Sequence, residues 1–189
     1  LEFLRHVLPS DGTYCSLVIL QRGARAKFYS SIEDLAKNTK LLSDGGYNVY
    51  YAAASFNDAD GGRKQENVHK IKSFYLDVDC GEEKPYPSWK EGLVALGKFI
   101  DAAKLPRPMI VRSGNGLHAY WVLDAEHTRD EWQPVANKFK ALTTRIGFTT
   151  DMSVPADSAR VLRAIGTINP KGGREVTLLM QAEPVSLAD

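Results

Sequence analysis

The sequence lacks the features that define several common protein classes. It contains two cysteines, Cys15 and Cys80, and two thiols cannot build a disulfide framework or, by themselves, a cysteine-based zinc site. A reducing compartment is therefore expected. The longest apolar runs, such as Ser16–Leu20 and Tyr50–Ala54, are far shorter than the roughly 20 residues that cross a bilayer. No membrane segment is predicted.

Neither sign of charge dominates the chain. The 24 basic and 23 acidic side chains leave a net charge of +1, so a nucleic-acid partner is not predicted from net charge, and any anion site must come from local clustering. One basic cluster, Arg160, Arg163, Lys171 and Arg174, lies within fifteen residues. A solvated surface is the ordinary alternative for such a cluster.

Length and composition are those of one globular domain. The 189 residues are 43% hydrophobic and 25% charged, which argues against disorder. Because Leu1 is not a methionine and no secretion signal follows it, we expect the chain to be a piece of a longer protein.

Hydrophobic periodicity predicts alternating strands and helices. Ser31, Ser88 and Thr128 are expected to cap three helices. Strands are predicted at Tyr14–Leu20, Val49–Ser55, Lys72–Val78, Met109–Arg112, Leu117–Leu123, Arg160–Leu162 and Val176–Met180. Because several neighbouring strands look like hairpins, we expect an α/β or α+β fold with a mixed sheet rather than a parallel doubly wound one.

Two aspartates come at the end of the predicted strand Lys72–Val78. The period of two places Asp77 and Asp79 on one face while Val78 points the other way. Adjacent carboxylates repel each other, and Mg²⁺ or Mn²⁺ prefers such hard oxygen ligands. The pair therefore predicts a metal site, with a solvated strand end as the alternative.

A glycine-containing turn is predicted between two strands. Ser113, Gly114, Asn115 and Gly116 form the turn, and His118 opens the returning strand. Two glycines allow backbone N–H groups to approach an anion closely. The alternative is an ordinary hairpin with a packed histidine. The spacing is wrong for a Walker P-loop, and a strand follows where a dinucleotide fingerprint needs a helix.

A third segment combines acids with cations. Asp151 and Asp157 precede Arg160, Arg163 and Lys171, and arginine binds phosphate with a fork of donors. Two arginines three apart share a face on a helical turn but lie on opposite faces of a strand. Both arrangements remain open from the sequence.

Taken in order, these motifs resemble the archaeo-eukaryotic primase superfamily, and within it the primase-polymerase domains of phages and mobile elements. The resemblance covers about residues 45–175. It rests on Phe-Tyr-Leu-Asp-Val-Asp, then Ser-Gly-Asn-Gly-Leu-His-Ala-Tyr-Trp, then Arg-Val-Leu-Arg-Ala-Ile-Gly-Thr-Ile-Asn-Pro-Lys. It implies a catalytic core with a mixed sheet like that of RNA-recognition motifs (RRM-like), packed with a smaller N-terminal α/β module. In this single domain of residues 1–189, about 1–45 contribute to the module and about 46–180 carry the motifs.

The resemblance also implies an activity and a site. The activity is template-directed nucleotidyl transfer by a DNA primase and polymerase, using two Mg²⁺ or Mn²⁺ ions. The implied metal ligands are Asp77, Asp79 and Asp151, with Asp157 as the alternative third acid, and His118 joins the catalytic set. The implied nucleotide contacts are Ser113, Gly114, Asn115, Gly116, His118, Arg160, Arg163 and Lys171. Ligands for the zinc-binding element of some relatives are missing here.

The implied partners are a single-stranded DNA template, a primer and deoxynucleoside or ribonucleoside triphosphates. A C-terminal helicase domain is expected in the full-length chain, and a host-cell cytoplasm if a phage encodes it. The expected template surface is Arg63, Lys64, Lys70, Lys72 and Arg112, each with a plain surface charge as the alternative. Two rival functions remain open: a metal-dependent nucleotide-sugar transferase that uses Asp-x-Asp, and a non-catalytic RRM-like nucleic-acid-binding module.

Overall fold

A computed structural model describes residues 1–188, and these form two main antiparallel sheets with four helices. The elements in chain order are α1 (Glu2–Val7), β1 (Tyr14–Ile19), β2 (Ala24–Tyr29), α2 (Ile32–Asp44), β3 (Asn48–Ala52), β4 (Ser55–Phe56), a 3₁₀ helix (Gln65–Asn67), β5 (Val68–Val78), α3 (Trp89–Ala103), β6 (Met109–Arg112), β7 (Leu117–His127), α4 (Arg129–Ile146), β8 (Val161–Leu162), β9 (Ile168–Asn169), β10 (Arg174–Glu175) and β11 (Thr177–Met180). The predicted fold class, which combines helices with sheets that are not doubly wound, is confirmed.

The two main sheets share the chain unevenly. A four-stranded sheet has the order β2-β1-β3-β8, a five-stranded sheet has the order β11-β6-β7-β5-β4, and β9 pairs with β10. The first sheet therefore reaches beyond residues 1–45, because β3 and β8 complete it. This arrangement brings the chain near residue 160 back beside the N-terminal strands, which matters for the site.

The five-stranded sheet is covered on both faces, which explains why four consecutive residues of β5, at 73–76, are all buried. Phe74 lies on the face that packs against α4, with its ring centroid 5.5 Å from that of Trp132. On the opposite face, Tyr120 of β7 contacts Phe3 of α1 and Tyr51 of β3. Aromatic side chains of this size contribute much of the stabilisation from apolar burial.

The prediction of one strand over Val49–Ser55 was wrong in one respect. The chain leaves the first sheet after Ala52 and joins the second at Ser55. At the crossing, the Ala53 N–H donates to the Arg160 carbonyl over 2.8 Å. An uninterrupted apolar run hides this break because both halves are buried, each in a different sheet.

Two elements of six residues each, α1 and β2, escape the periodicity analysis, and so do the shorter β9, β10 and 3₁₀ helix. Residues 2–7 form α1, a helix too short to show a period. The strand β2 lies in a region for which the sequence predicts no strand, and its first four residues are all exposed. An exposed edge strand carries no inside–outside alternation, so its sequence resembles a loop.

The helix ends follow the predicted capping. Ser31, Ser88 and Thr128 each accept a hydrogen bond from the N–H three residues later. Gly147, in the left-handed region at φ +76°, closes α4. Among residues 1–188, no helix combines the length and the hydropathy needed to cross a membrane.

Gly116 is required by a close backbone approach, and this gives a first prediction. A Cβ at Gly116 would lie 2.5 Å from the Val78 carbonyl oxygen, whereas a Cβ at Gly97, inside α3, would meet nothing within 4 Å. Gly116→Ala is expected to lower the free energy of unfolding by about 1–3 kcal/mol through overpacking. Gly97→Ala is expected to raise it by about 0.5–1 kcal/mol because alanine favours a helix.

Urea unfolding of the two variants and the wild type checks this contrast in sign. Equal stability of Gly116→Ala and the wild type would show that the turn does not press against β5.

Candidate active site

Asp77 and His118 face each other across neighbouring strands. In the antiparallel ladder of β5 and β7, Asp77 pairs with His118 and Val78 pairs with Leu117. The His118 Nε2 lies 3.8 Å from Asp77 Oδ1. Asp79 follows the end of β5 on the same side as Asp77. The first two motifs therefore meet at one end of the five-stranded sheet.

The glycine-containing turn is closed by its own backbone and fastened to the third motif. The Ser113 N–H donates to the Gly116 carbonyl over 3.0 Å, and Gly114 adopts a φ of +117°. The Asn169 side chain donates to the Ser113 carbonyl over 2.9 Å. Sequence reasoning missed Asn169 as a support of the turn, although it lies in the motif around Lys171.

The segment before Asp151 contacts β5 but is not a strand. Residues 148–150 have no regular structure. They nevertheless lie against the end of β5, because the Asp151 N–H and the Thr150 hydroxyl both donate to the Asp77 carbonyl, over 3.1 and 2.6 Å. These hydrogen bonds place Asp151 beside Asp77, although the segment does not pair with β5 as a strand.

Arg160 joins the acids of the first and third motifs. Its Nη2 lies 3.3 Å from Asp151 Oδ2 and 3.9 Å from Asp77 Oδ2. Asp79 has a different cation, Lys84, at 3.0 Å, and both of those side chains are about half exposed. Screening makes such an exposed pair weak, so only the Arg160 bridge organises the acids.

Asp157 has a different setting from Asp151. Its Oδ1 accepts from the Ala159 N–H and from the Gln65 side chain, each over 3.1 Å. Both bonds hold a turn, as expected for an aspartate after a proline and before a serine. Of the predicted site residues, Asp157, Asp151 and Gly114 do not line the cavity described below, although Asp151 lies beside Asp77 at its edge.

Arg163 is a buried guanidinium with an unsatisfied donor. Its side chain donates to the Tyr50 hydroxyl over 2.7 Å and lies over the Tyr50 ring at 4.3 Å. Among the described residues, its Nη1 is buried without a hydrogen-bond partner, and so is Nε of Arg160. Buried charged donors left unpaired are costly, so both arginines are suited to bind an anion.

Most of the predicted site residues line one cavity of about 410 Å³. The predicted site residues that line it are Asp77, Asp79, Ser113, Asn115, Gly116, His118, Arg160, Arg163 and Lys171. Arg160 and Arg163 both reach it because the strand between them, β8, is only two residues long. Tyr50 of β3 and Lys84 also line it. Neither could be found from the motifs, because both residues lie outside them.

The cavity perturbs the pKa values of its titratable groups in opposite directions. Burial, together with the nearby Asp79 charge, raises the Asp77 pKa from 3.8 to about 7, against the opposing effect of Arg160. Burial beside Arg163 and Arg160 lowers the His118 pKa from 6.5 to about 3. His118 is therefore a neutral hydrogen-bonding group at pH 7, and it forms no ion pair with Asp77.

The acids fit a divalent cation in part. The partly buried Asp77 carboxylate resists ionisation beside Asp79, and a cation bound by both would relieve that repulsion. Asp151 is turned toward Arg160 and Ser153. Within residues 1–188, no three or more His, Cys, Asp or Glu side chains are grouped to hold a metal ion. The pair Asp77 and Asp79 therefore provides the fit, and Asp151 lies beside it.

Comparison with solved structures identifies the fold. The primase-polymerase domain of cyanophage S-2L aligns with a TM-score of 0.71 at 18% identity, covering 99% of this chain and 91% of that one. This chain has the fold of an archaeo-eukaryotic primase domain. The primase RepB′ aligns at 0.63 and 16% identity, covering 98% of this chain and 56% of RepB′. The RepB′ catalytic domain in complex with initiator DNA aligns at 0.61 and 16%, covering 98% and 84%.

The similarity to these primases is found by comparing structures and not by comparing sequences. No protein-family model matches the sequence, and no curated protein matches it. The fold that the three motifs suggest is confirmed, and in this chain residues of all three motifs line one cavity.

The raised Asp77 pKa predicts a pH-dependent difference between wild type and Asp77→Asn. A carboxyl whose pKa is higher in the folded than in the unfolded protein makes stability fall as pH rises from about 4 to about 7. In chelator, Asp77→Asn is expected to be more stable than wild type at pH 8. The expected difference is roughly 1–3 kcal/mol, below the full value of the pKa shift, because part of the side chain reaches solvent. The advantage should vanish near pH 4.

Urea unfolding at each pH measures this difference. The wild type is the necessary reference, because the lowered His118 pKa gives both proteins an opposite slope below pH 6.5. A constant difference across the whole range would contradict the Asp77 assignment.

Proposed function

We propose that this chain is a template-directed nucleotidyltransferase, a primase-polymerase domain that makes phosphodiester bonds from nucleoside triphosphates. The observation that carries the proposal is one cavity in which Asp77 and Asp79 lie beside two arginines with unpaired, buried donors. Carboxylates for a cation next to donors for an anion suit a metal–triphosphate substrate. The primase fold agrees with this chemistry.

In the proposed reaction, the oxygen of a 3′-hydroxyl bonds to the α-phosphorus of the incoming nucleotide, and the bond to pyrophosphate breaks. Asp77 and Asp79, with Asp151 beside them, would hold Mg²⁺ or Mn²⁺. Such ions would lower the pKa of the attacking hydroxyl and neutralise the charge on the leaving group.

The chain's own donors orient the triphosphate. Arg163 Nη1 and Arg160 Nε are the unpaired donors, and Lys171 lines the same cavity. The neutral His118 is suited to donate a hydrogen bond without adding charge. These groups are in place before the substrate arrives, so little reorganisation is required at the moment of reaction.

A second cleft beside the cavity is our proposed path for single-stranded DNA. It measures about 460 Å³ and shares Asn115 with the active-site cavity. Arg112 lies over the Trp89 ring at 5.1 Å, and Arg174 donates to Asn115 over 2.9 Å. An aromatic ring with arginines offers both stacking and phosphate contacts.

The other residues expected on the template surface are placed differently. Lys70 is paired with Asp11 and Glu126. It lies seven residues before Asp77 on β5, which is about 20 Å along a strand. Arg63 donates to the Ala159 carbonyl over 2.6 Å. Arg112 is therefore the member of that set with the strongest support.

The broader context is part of the proposal. A solved relative by fold is a cyanophage enzyme, which is consistent with a role in replicating a phage or mobile element inside a host cell. A helicase domain elsewhere in the full-length chain is the matching partner.

Template-directed incorporation of labelled nucleotides, with and without a primer, tests the activity. With Mg²⁺ or Mn²⁺, Asp77→Ala and Asp79→Ala are each expected to lose on the order of 100-fold or more in turnover. Asp151→Asn is expected to lose turnover as well, because it removes the charged oxygen beside Asp77.

Asp157→Asn is the matched control for Asp151→Asn. Asparagine keeps the oxygen that accepts both hydrogen bonds at position 157, so turnover and melting temperature should stay near wild type. Full incorporation by Asp77→Ala would refute the proposal. Metal-independent DNA binding without incorporation would favour a non-catalytic binding module, and template-free sugar-nucleotide hydrolysis would favour a sugar transferase.

His118→Ala and Arg112→Gln are expected to separate nucleotide binding from DNA binding. His118 lines the active-site cavity and Arg112 the neighbouring cleft. His118→Ala should raise the nucleotide KM with little change in DNA affinity. Arg112→Gln should weaken single-stranded DNA binding. It should also reduce, by about one, the slope of the logarithm of the DNA affinity against the logarithm of the salt concentration. Steady-state kinetics and fluorescence anisotropy at several salt concentrations provide the measurements, and identical profiles for the two variants would contradict the division.

A further inference from the structure

Behind His118, three buried polar groups form a continuous line. The Tyr51 hydroxyl of β3 donates to the Tyr120 hydroxyl of β7 over 3.1 Å. The Tyr120 hydroxyl lies 3.4 Å from His118 Nδ1. Tyr51 is fully buried, and Tyr120 and His118 are nearly so. The line runs from the first sheet to the imidazole that faces the cavity.

Counting protons along this line fixes its direction. Tyr51 gives its proton to Tyr120, so the Tyr120 proton is free to go to His118 Nδ1. If Nδ1 carried a proton instead, it would point at Tyr120, and the buried Tyr120 proton would lose its acceptor. A buried donor without a partner costs about 1–3 kcal/mol. The satisfied arrangement makes Nδ1 an acceptor.

We propose that Tyr120 is a positioning residue that holds His118 in the tautomer with its proton on Nε2, and that Tyr51 orients Tyr120. The Nε2–H then lies toward the cavity, 3.8 Å from Asp77 Oδ1. That distance is longer than a hydrogen bond, so this proton remains available to a ligand. With the other tautomer, a lone pair would face the carboxylate and any phosphate oxygen.

Packing keeps the two tyrosines in place. Phe3 of α1 meets the rings of Tyr51 and Tyr120 edge-on, with centroids 5.8 and 5.7 Å apart. Tyr120 also lies opposite Tyr75 in the β5–β7 ladder. The hydroxyl groups are thus held by both sheets and by the N-terminal helix, and their direction does not depend on a bound ligand.

Nitrogen-15 NMR of the imidazole rings tests the tautomer in the protein without substrate. The chain has four histidines, so the His118 signals can be assigned with His118→Gln. In wild type at pH 7, the long-range couplings are expected to show a protonated Nε2. Tyr120→Phe should abolish this preference. Tyr51→Phe should keep it, because Tyr120 can still donate to Nδ1.

Tyr14→Phe is the matched control. Tyr14 is another buried tyrosine, and its hydroxyl donates to the Pro9 carbonyl, outside the line. It should lose stability without changing the His118 spectrum. A protonated Nδ1 or a doubly protonated ring in wild type would overturn the proposal. So would an unchanged tautomer in a folded Tyr120→Phe.

The consequence for the substrate rests on the proposed function. Tyr120→Phe is expected to raise the nucleotide KM about tenfold, the equivalent of one hydrogen bond of roughly 1.4 kcal/mol. DNA affinity should be unchanged, and Tyr51→Phe should have a smaller effect on KM. An unchanged KM in Tyr120→Phe with an altered tautomer would overturn this catalytic consequence. A wild type without nucleotide incorporation would refute the proposed function and leave the tautomer assignment standing.

Discussion

The central strands β5 and β7 are hydrogen-bonded neighbours, and their register pairs Asp77 with His118 and Tyr75 with Tyr120. If either strand shifted by one residue, its members of these pairs would turn to the face covered by α3 and α4. The register is therefore the constraint on which the site depends. Gly116 contributes to it, since only a residue without Cβ lets the turn lie against Val78.

The electrostatics of the site follow from where this ladder ends. The end of β5 carries Asp77 into a partly buried cavity, and the chain around residue 160 returns there because β8 completes the first sheet. Carboxylates and guanidinium groups are thereby desolvated together. Their mutual attraction is incomplete, since the Asp77 pKa is raised to about 7 and two arginines keep buried donors unpaired. A metal–triphosphate would satisfy both sets at once.

Much of the site could be predicted from local sequence, because its chemistry lies in short segments. Asp77 and Asp79 lie at the end of one strand and Ser113–Gly116 form the turn before His118, so period-two geometry and turn chemistry marked them as candidates. The family resemblance joined them into one expected site. What could not be predicted depends on contacts distant in sequence. Tyr50 supports Arg163, and Tyr51 reaches His118 through Tyr120; both tyrosines lie in a run that reads only as an apolar strand. Likewise, α1 is recognisable only from what it packs against.

The most direct test of the central claim is a crystal structure with Mn²⁺ and a non-hydrolysable nucleoside triphosphate, using the anomalous signal of manganese. A manganese peak is expected between the carboxylates of Asp77 and Asp79. Phosphate oxygens bonded to Arg163 and to Nε2 of His118 are also expected. Manganese and nucleotide bound elsewhere, or nucleotide bound in this cavity with no metal at the two aspartates, would contradict the proposed site.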